Sequence, residues 1–378
     1  MQIDKYQDFT LLIDGKNAFP VILNAIENAE NSLEINMFIW RDDEIGNRLA
    51  QAVLKSADRG VKTTISVDKY GSVLEHLEEG RKSFFHKKLN ATEKIKIWGL
   101  SVFYPEHRAQ RKEKDTFSEL YHHILSHPNI TIEKDVFKAD HSKYYIIDGK
   151  TLILGGINVE DKENGKDRQG REYQDYMVKI DGERHVENFK AKLFKGENLS
   201  SEYYFGVNAK NNKPYRFEME EEYLSLIRNA KQELNFVMAY FSPLKNFMKE
   251  ILLASKRGVR IRVMLPFSAN FQNDTNYKTA RELLKKSNGN IEIYFTPKMA
   301  HTKLVYTEDW LSFGSTNITS KAFKQLAELN LFVKNEPCAF TDTLKQSVEE
   351  NFALAQRVTD FKQIKYNRLK TLVEGLLV

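Results

Sequence analysis

Apolar and polar positions along this chain fall into one pattern that occurs twice. Asn28-Ala29-Glu30-Asn31-Ser32 leads into an apolar run at 33–40, and Asn229-Ala230-Lys231-Gln232-Glu233 leads into another at 234–241. Each reads as the end of a helix running into a strand. A helical stretch follows both times and ends at Arg59-Gly60-Val61 or Arg257-Gly258-Val259. Glycine suits the residue after a helix, where the backbone turns left-handed, and the next strand begins at once, at 61–67 and 259–265. Each half therefore predicts helix, strand, helix, strand and further strands, an α/β arrangement with a mostly buried sheet. The halves divide into 1–205, with an insertion at about 81–135, and 206–378. The polar, turn-forming stretch from Gly206 to Pro214 is expected to join them.

Composition narrows the class. Hydrophobic residues make up 41% and charged ones 29% of 378 residues, an ordinary globular mixture. The lone cysteine, Cys338, excludes a disulfide-stapled scaffold. No apolar run approaches the ~20 residues needed to span a bilayer, and the first residues lack the basic-then-apolar order of a leader. A soluble, cytoplasmic protein is expected.

Two further segments bring chemistry. His141-Ser142-Lys143-Tyr144-Tyr145-Ile146-Ile147-Asp148 is followed by Gly155-Gly156-Ile157-Asn158. His301-Thr302-Lys303-Leu304-Val305-Tyr306-Thr307-Glu308 is followed by Gly314-Ser315-Thr316-Asn317. On a strand, positions i and i+2 share a face, so each His and Lys would point the same way. A turn and a returning strand would bring the small residues alongside, with Asn158 and Asn317 supplying amide donors. A single His-x-Lys reads as a solvated strand face. Two copies with the same small-small-x-Asn sequel do not.

These segments resemble the paired His-x-Lys-x-x-x-x-Asp motifs of the phospholipase D superfamily, and the repeat carries the resemblance over nearly the whole chain. It implies that each half gives one motif to a single site at a pseudo-twofold interface, so the halves are expected to be packed together. The second motif has Glu308 where the family has Asp. That residue, like Asp148, is expected to support the motif rather than touch substrate. The implied reaction is phosphodiester transfer, with His141 as nucleophile and His301 as acid and base. Lys143 and Lys303 would neutralise the non-bridging oxygens, and Asn158 and Asn317 would donate hydrogen bonds to them. An imidazole near its reference pKa of ~6.5 can attack or donate at neutral pH. Asp175 and Glu328, in strand-like segments downstream of the asparagines, resemble the acids that hydrogen-bond the catalytic histidines. No metal and no cofactor is called for. His123 and His127 have the i, i+4 spacing of helix-borne metal ligands, but they lack the accompanying zincin glutamate and read, with His122, as a surface helix. Asp42 or Asp43 reads as a helix cap.

Within the superfamily the chain is most similar to bacterial cardiolipin synthases and their short relatives. The similarity lies at Leu12-Ile13-Asp14-Gly15, at 37–46, and at Met299-Ala300-His301-Thr302-Lys303. This implies phosphatidyl transfer first, with lipid hydrolysis and metal-independent cleavage of DNA or RNA as the alternatives. The spanning helices of the longer synthases are missing from this sequence, so contact with the inner face of the membrane would be peripheral. Residues 81–115 hold ten Lys/Arg against four Asp/Glu, a surplus above the +5 of the whole chain. Lys87, Lys88, Arg108, Arg111 and Lys112 of this insertion are candidates for binding an anionic phospholipid or membrane surface. Residues 361–373 have apolar positions at helical spacing with basic ones between, which suits either a helix on an anionic membrane or one packed on its own domain. A basic rim would equally hold nucleic acid, although +5 is modest for that role.

Overall fold

The apolar runs become strands, and the amphipathic stretches between them become helices. The structure, a computed structural model, describes residues 5–78, 82–86, 88–104, 118–134, 138–210 and 213–375. In the first half β1 (Phe9–Ile13), β2 (Ser32–Met37), β3 (Lys62–Val67), β4 (Ile130–Glu133), β5 (Tyr144–Ile147), β6 (Thr151–Gly155) and β7 (Tyr176–Asp181) form one sheet. Its order is β1-β7-β6-β5-β2-β3-β4. In the second half the corresponding strands are β8 (Tyr203–Ala209), β9 (Glu233–Met238), β10 (Arg260–Pro266), β11 (Ile291–Thr296), β12 (Lys303–Thr307), β13 (Trp310–Gly314) and β14 (Glu328–Lys334). They take the order β8-β14-β13-β12-β9-β10-β11, matching the first sheet, and the short strands Arg216–Phe217 and Gln356–Val358 are added at the two edges. The directions match as well: β2–β3–β4 and β9–β10–β11 are parallel, and the other neighbours are antiparallel.

The two sheets meet face to face. Leu152, Leu154 and Val178 of the first interlock with Leu304, Leu311 and Leu331 of the second in one buried cluster. Each such side chain contributes about 1.5–3 kcal/mol when removed from water, so separating the halves would cost many of these terms at once. Helices Asp14–Glu27 and Glu44–Asp58 cover the outer face of the first sheet. Helices Met219–Asn229, Lys245–Lys256 and Asn273–Lys286 cover that of the second. The α/β class, the repeat and the packed halves are all as the sequence predicts. Gly60 and Gly258 end their helices at φ of +103° and +90°. Asp43 caps helix Glu44–Asp58 by accepting from the Gly46 N–H at 3.0 Å.

The sequence reading differs from the structure in three places. The expected linker from Gly206 is, as far as Ala209, the end of strand β8, which pairs with β14. Phe205, Val207 and Ala209 alternate into the core, while the polar Asn208 is buried because its side chain bonds Ala322 O and Met219 N–H. His141 and Lys143 precede β5 rather than lie on it, and His301 stands just before β12. The C-terminal helix spans only Arg368–Glu374, with Asn367 as its cap. Upstream of it, Ile364 is buried in the second core, which ties that stretch to the domain.

Candidate active site

The site is built from the turns around the two histidines. Asp148 accepts the backbone N–H groups of Glu30, Asn31 and Ser32 at 2.7–3.0 Å, tying the β5–β6 turn to the entrance of β2. These donors hold its carboxyl below the ordinary range despite partial burial. Glu308 does the same for Lys231 (2.6 Å) and Glu233 (3.2 Å) in the other half. Asp and Glu thus do one job, anchoring the strand that follows each histidine.

Each histidine-bearing turn is stitched to the opposite half. Asp140, just before His141, bridges Ala327, just before Glu328. Ala300, just before His301, pairs with Gln174, just before Asp175. The carboxylates consequently serve the other half's imidazole. His141 Nδ1 lies 3.1 Å from Glu328 Oε2, and His301 Nδ1 lies 3.0 Å from Asp175 Oδ2. With Nδ1 engaged, Nε2 is the nitrogen left for chemistry on both rings. His141, His301 and Asn158 line a single pocket.

The small residues of the asparagine segments make this geometry possible. A Cβ on Gly156 would sit 2.2 Å from Asp175 Oδ2. Ser315, at the equivalent place, instead donates its hydroxyl to Glu328 Oε2. A Cβ on Gly155 or Gly314 would meet the carbonyl oxygen of Tyr176 or Leu329 at 2.3 or 2.2 Å. Asn317 accepts from the Tyr240 N–H through Oδ1, which leaves its NH₂ group as the donor. Both lysines are fully buried, and each ammonium donates to the carbonyl of its own motif's histidine.

Electrostatics separate the two histidines. Burial, Lys143 and Lys303 drive the His141 pKa well below the ordinary imidazole value, so it is neutral at pH 7. At His301 burial and Lys303 oppose the charge, but Glu163 and Asp175 outweigh them and raise the pKa. Burial also brings Lys143 down to about 7, with Lys303 adding to the effect, and lifts Glu328 to about 8.

Glu163 is the residue that sequence reading missed. Its Oε1 lies 3.0 Å from His301 Nδ1, is buried, and has no hydrogen bond of its own. The sequence did hold a signal: Asn158 is followed five residues later by this acid, whereas Asn317 is followed by Ala322. Asp14 was missed as a participant too. It accepts from the Asp175 N–H at 3.1 Å and donates its own N–H to Asp175 O, which fixes the acid's backbone. A third addition is a buried ionic wall. Glu78 takes Arg41 at 2.7 Å and Lys162 at 2.6 Å, and Glu160 takes the same two cations. Glu78, Glu160 and Lys162 line the pocket together with Phe38, Ile39 and Phe271.

Of the proposed surface contacts, Lys88 is exposed on the segment entering helix Ala91–Ser101. Lys87, Arg108, Arg111 and Lys112 lie outside the described residues. His122 and His123 are exposed on helix Glu119–Ser126, and His127 faces Asp58 at 3.2 Å. Among the described residues no helix is long and apolar enough to cross a membrane.

Residues 22–195 and 223–353 match the family described as cardiolipin synthase, PLD-like domain. A cardiolipin synthase of Clostridium perfringens is 24% identical over 91% of this chain and 69% of its own. Cardiolipin synthase B of Salmonella typhi is 24% identical over 95% and 82%, and that of Escherichia coli K12 is 23% identical over 89% and 78%. Among solved structures, the phosphatidylserine synthase of Haemophilus influenzae superposes with a TM-score of 0.69 at 12% identity. It covers 99% of this chain and 92% of that one, a likeness of fold.

Proposed function

The chain belongs to the cardiolipin synthase, PLD-like domain family, and on that footing we propose that it transfers a phosphatidyl group between phospholipids through a phosphohistidine. The observation that carries the reading is the convergence of two histidines, each held by an acidic side chain of the other half, on one pocket. His141 Nε2, neutral and therefore nucleophilic, attacks phosphorus while His301 Nε2 gives its proton to the departing alkoxide oxygen. The P–O bond breaks as the P–N bond forms. His301, now neutral, takes the proton of the acceptor hydroxyl, whose oxygen attacks phosphorus and returns His141 to its starting state. Lys143, Lys303, Asn158 and the Asn317 amide balance the charge on the non-bridging oxygens.

Pocket chemistry favours a lipid diester. Phe38, Ile39, Leu74 and Phe271 give the lining apolar surface, while Glu78, Glu160 and Lys162 add polar groups suited to glycerol hydroxyls. The relatives' names point the same way. Incubation with phosphatidylglycerol should release glycerol and yield cardiolipin, read by mass spectrometry, while a fluorescent oligonucleotide stays intact. Oligonucleotide cleavage without lipid turnover would refute the proposal.

A further inference from the structure

Two short helices that are distant in sequence are linked through Tyr104 to the pocket wall, and both carry apolar side chains outward. On helix Ala91–Ser101 and just beyond it, Ile95, Trp98 and Val102 recur at i, i+3 and i+7 and are 68%, 71% and 49% exposed. On helix Arg368–Glu374, Leu369 and Leu372 are 68% and 71% exposed. Tyr104 joins the two: its hydroxyl lies 3.4 Å from Glu374 Oε1, and Lys370 Nζ sits 4.8 Å from its ring centroid. The same tyrosine stacks edge-on with Phe271 and accepts from the Gln272 N–H at 3.3 Å. Phe271 and Gln272 line the pocket with His141 and His301. Tyr104 thus ties both apolar stripes to the wall of the pocket.

Charge on these segments has one sign outward. In 88–104 and 361–375 the exposed charged side chains described are Lys88, Lys94, Lys362, Lys365 and Arg368. The two acids, Glu93 and Glu374, are turned inward at 4% and 0% exposure. Glu374 is used up on the Thr275 N–H and hydroxyl at 2.7 and 2.8 Å. An exposed Trp with aliphatic side chains, accompanied by cations and with no outward carboxylate among the described residues of the two segments, is the composition that settles at the headgroup level of an anionic bilayer. A partner protein of acidic character would match the charge, but it would not explain why Tyr104 ties the patch to a pocket lined by both apolar and polar side chains.

We propose that the Ala91–Ser101 and Arg368–Glu374 helices form one docking face that enters the headgroup region of an anionic bilayer and presents the pocket mouth to it. This rests on the phospholipid reading of the site for its purpose, but not for its test. The full chain is floated with vesicles of phosphatidylglycerol and phosphatidylcholine and with phosphatidylcholine alone, beside Trp98→Glu, Leu372→Glu and the double variant. Circular dichroism melts confirm that each variant is folded, which these outward positions should allow. Binding to the anionic vesicles should fall about tenfold or more in the double variant, and turnover of a short-chain, monomeric phosphatidylglycerol should not change. Intrinsic fluorescence gives an independent readout. Trp40 is buried and Trp310 packs on Tyr204, so an emission blue shift on vesicle binding should vanish in Trp98→Phe. Wild-type flotation retained by the folded double variant, or a blue shift that survives Trp98→Phe, overturns the docking face. Flotation that depends on Trp98 and Leu372, with no phospholipid turnover in any form, supports the docking face and overturns the transferase reading instead.

Discussion

His301 of the second half is held by Asp175 of the first, Nδ1 to Oδ2 at 3.0 Å, and the reverse pairing joins His141 to Glu328 at 3.1 Å. Neither half can orient its own imidazole. The site exists only where the two sheets are packed, which makes the shared core of Leu154, Leu304 and their neighbours part of the catalytic design. Asp175→Asn keeps the shape but offers an amide where the ring needs a carboxylate. The expected loss in kcat is roughly 10- to 100-fold with little change in thermal stability. A kcat equal to wild type would remove Asp175 from the orienting role.

One site with two histidines has a kinetic signature. His141→Ala and His301→Ala should each lower kcat by roughly 10³-fold or more, and the double variant should be no worse than either. Losses that multiply would indicate two independent sites. Rapid-quench mass spectrometry should find the phosphoryl adduct on His141, and an adduct on His301 would exchange the two roles.

The second copy carries Ser315 where the first carries Gly156, and the copies are not interchangeable here. A serine at 156 would place its Cβ 2.2 Å from the Asp175 carboxylate. Gly156→Ser should therefore cost about 1–3 kcal/mol and displace the acid from His301. Calorimetry and kcat should both fall. A variant as active as wild type would mean that the carboxylate has another place to sit.

On the proposed mechanism, positive charge at the site comes from the chain itself, through Lys303 and the protonated fraction of Lys143, with amide donors at Asn158 and Asn317. Turnover should persist in excess chelator, and Lys143→Gln or Lys303→Gln should depress kcat far more than EDTA does. Activity lost to EDTA and restored by Mg²⁺ or Zn²⁺ would mean that a metal does the work assigned to the lysines.

Much of this was legible in the sequence because repetition amplifies weak signals. His141 and His301, their lysines and the small-small-x-Asn segments gain meaning from being doubled, and the acids Asp175 and Glu328 from equivalent placement. What the repeat could not give is which partner crosses over, since the exchange depends on Asp140 bridging Ala327 and Ala300 pairing Gln174 across the interface. Strand β8 was hidden by Gly206 and Asn208, which read as turn residues until Asn208 is seen to bond two backbones. The ionic wall was equally opaque, because Arg41, Glu78 and Lys162 are far apart in sequence and look like ordinary surface charges.

Glu163 breaks the symmetry between the halves, and its effect should be visible as pH dependence. On the proposed mechanism, turnover needs His141 neutral and His301 protonated. The His141 pKa is pushed far below the ordinary value, so its requirement is met across the neutral range. The His301 pKa is raised, so its proton is retained as pH rises past ~6.5 and lost only above that. Glu163→Gln removes one of the two carboxylates that favour the charged ring, so the His301 pKa should fall and the alkaline limb of kcat should move to lower pH. The acid limb, governed by His141, should stay in place. Glu163→Asp, which keeps the charge, should restore part of the shift. Lys143 (about 7) and Glu328 (about 8) titrate in the same window, so the limb alone would be ambiguous. Nitrogen chemical shifts of the His301 ring, followed against pH in wild type and Glu163→Gln, read the affected group directly. An unchanged His301 titration in that variant would confine Glu163 to packing.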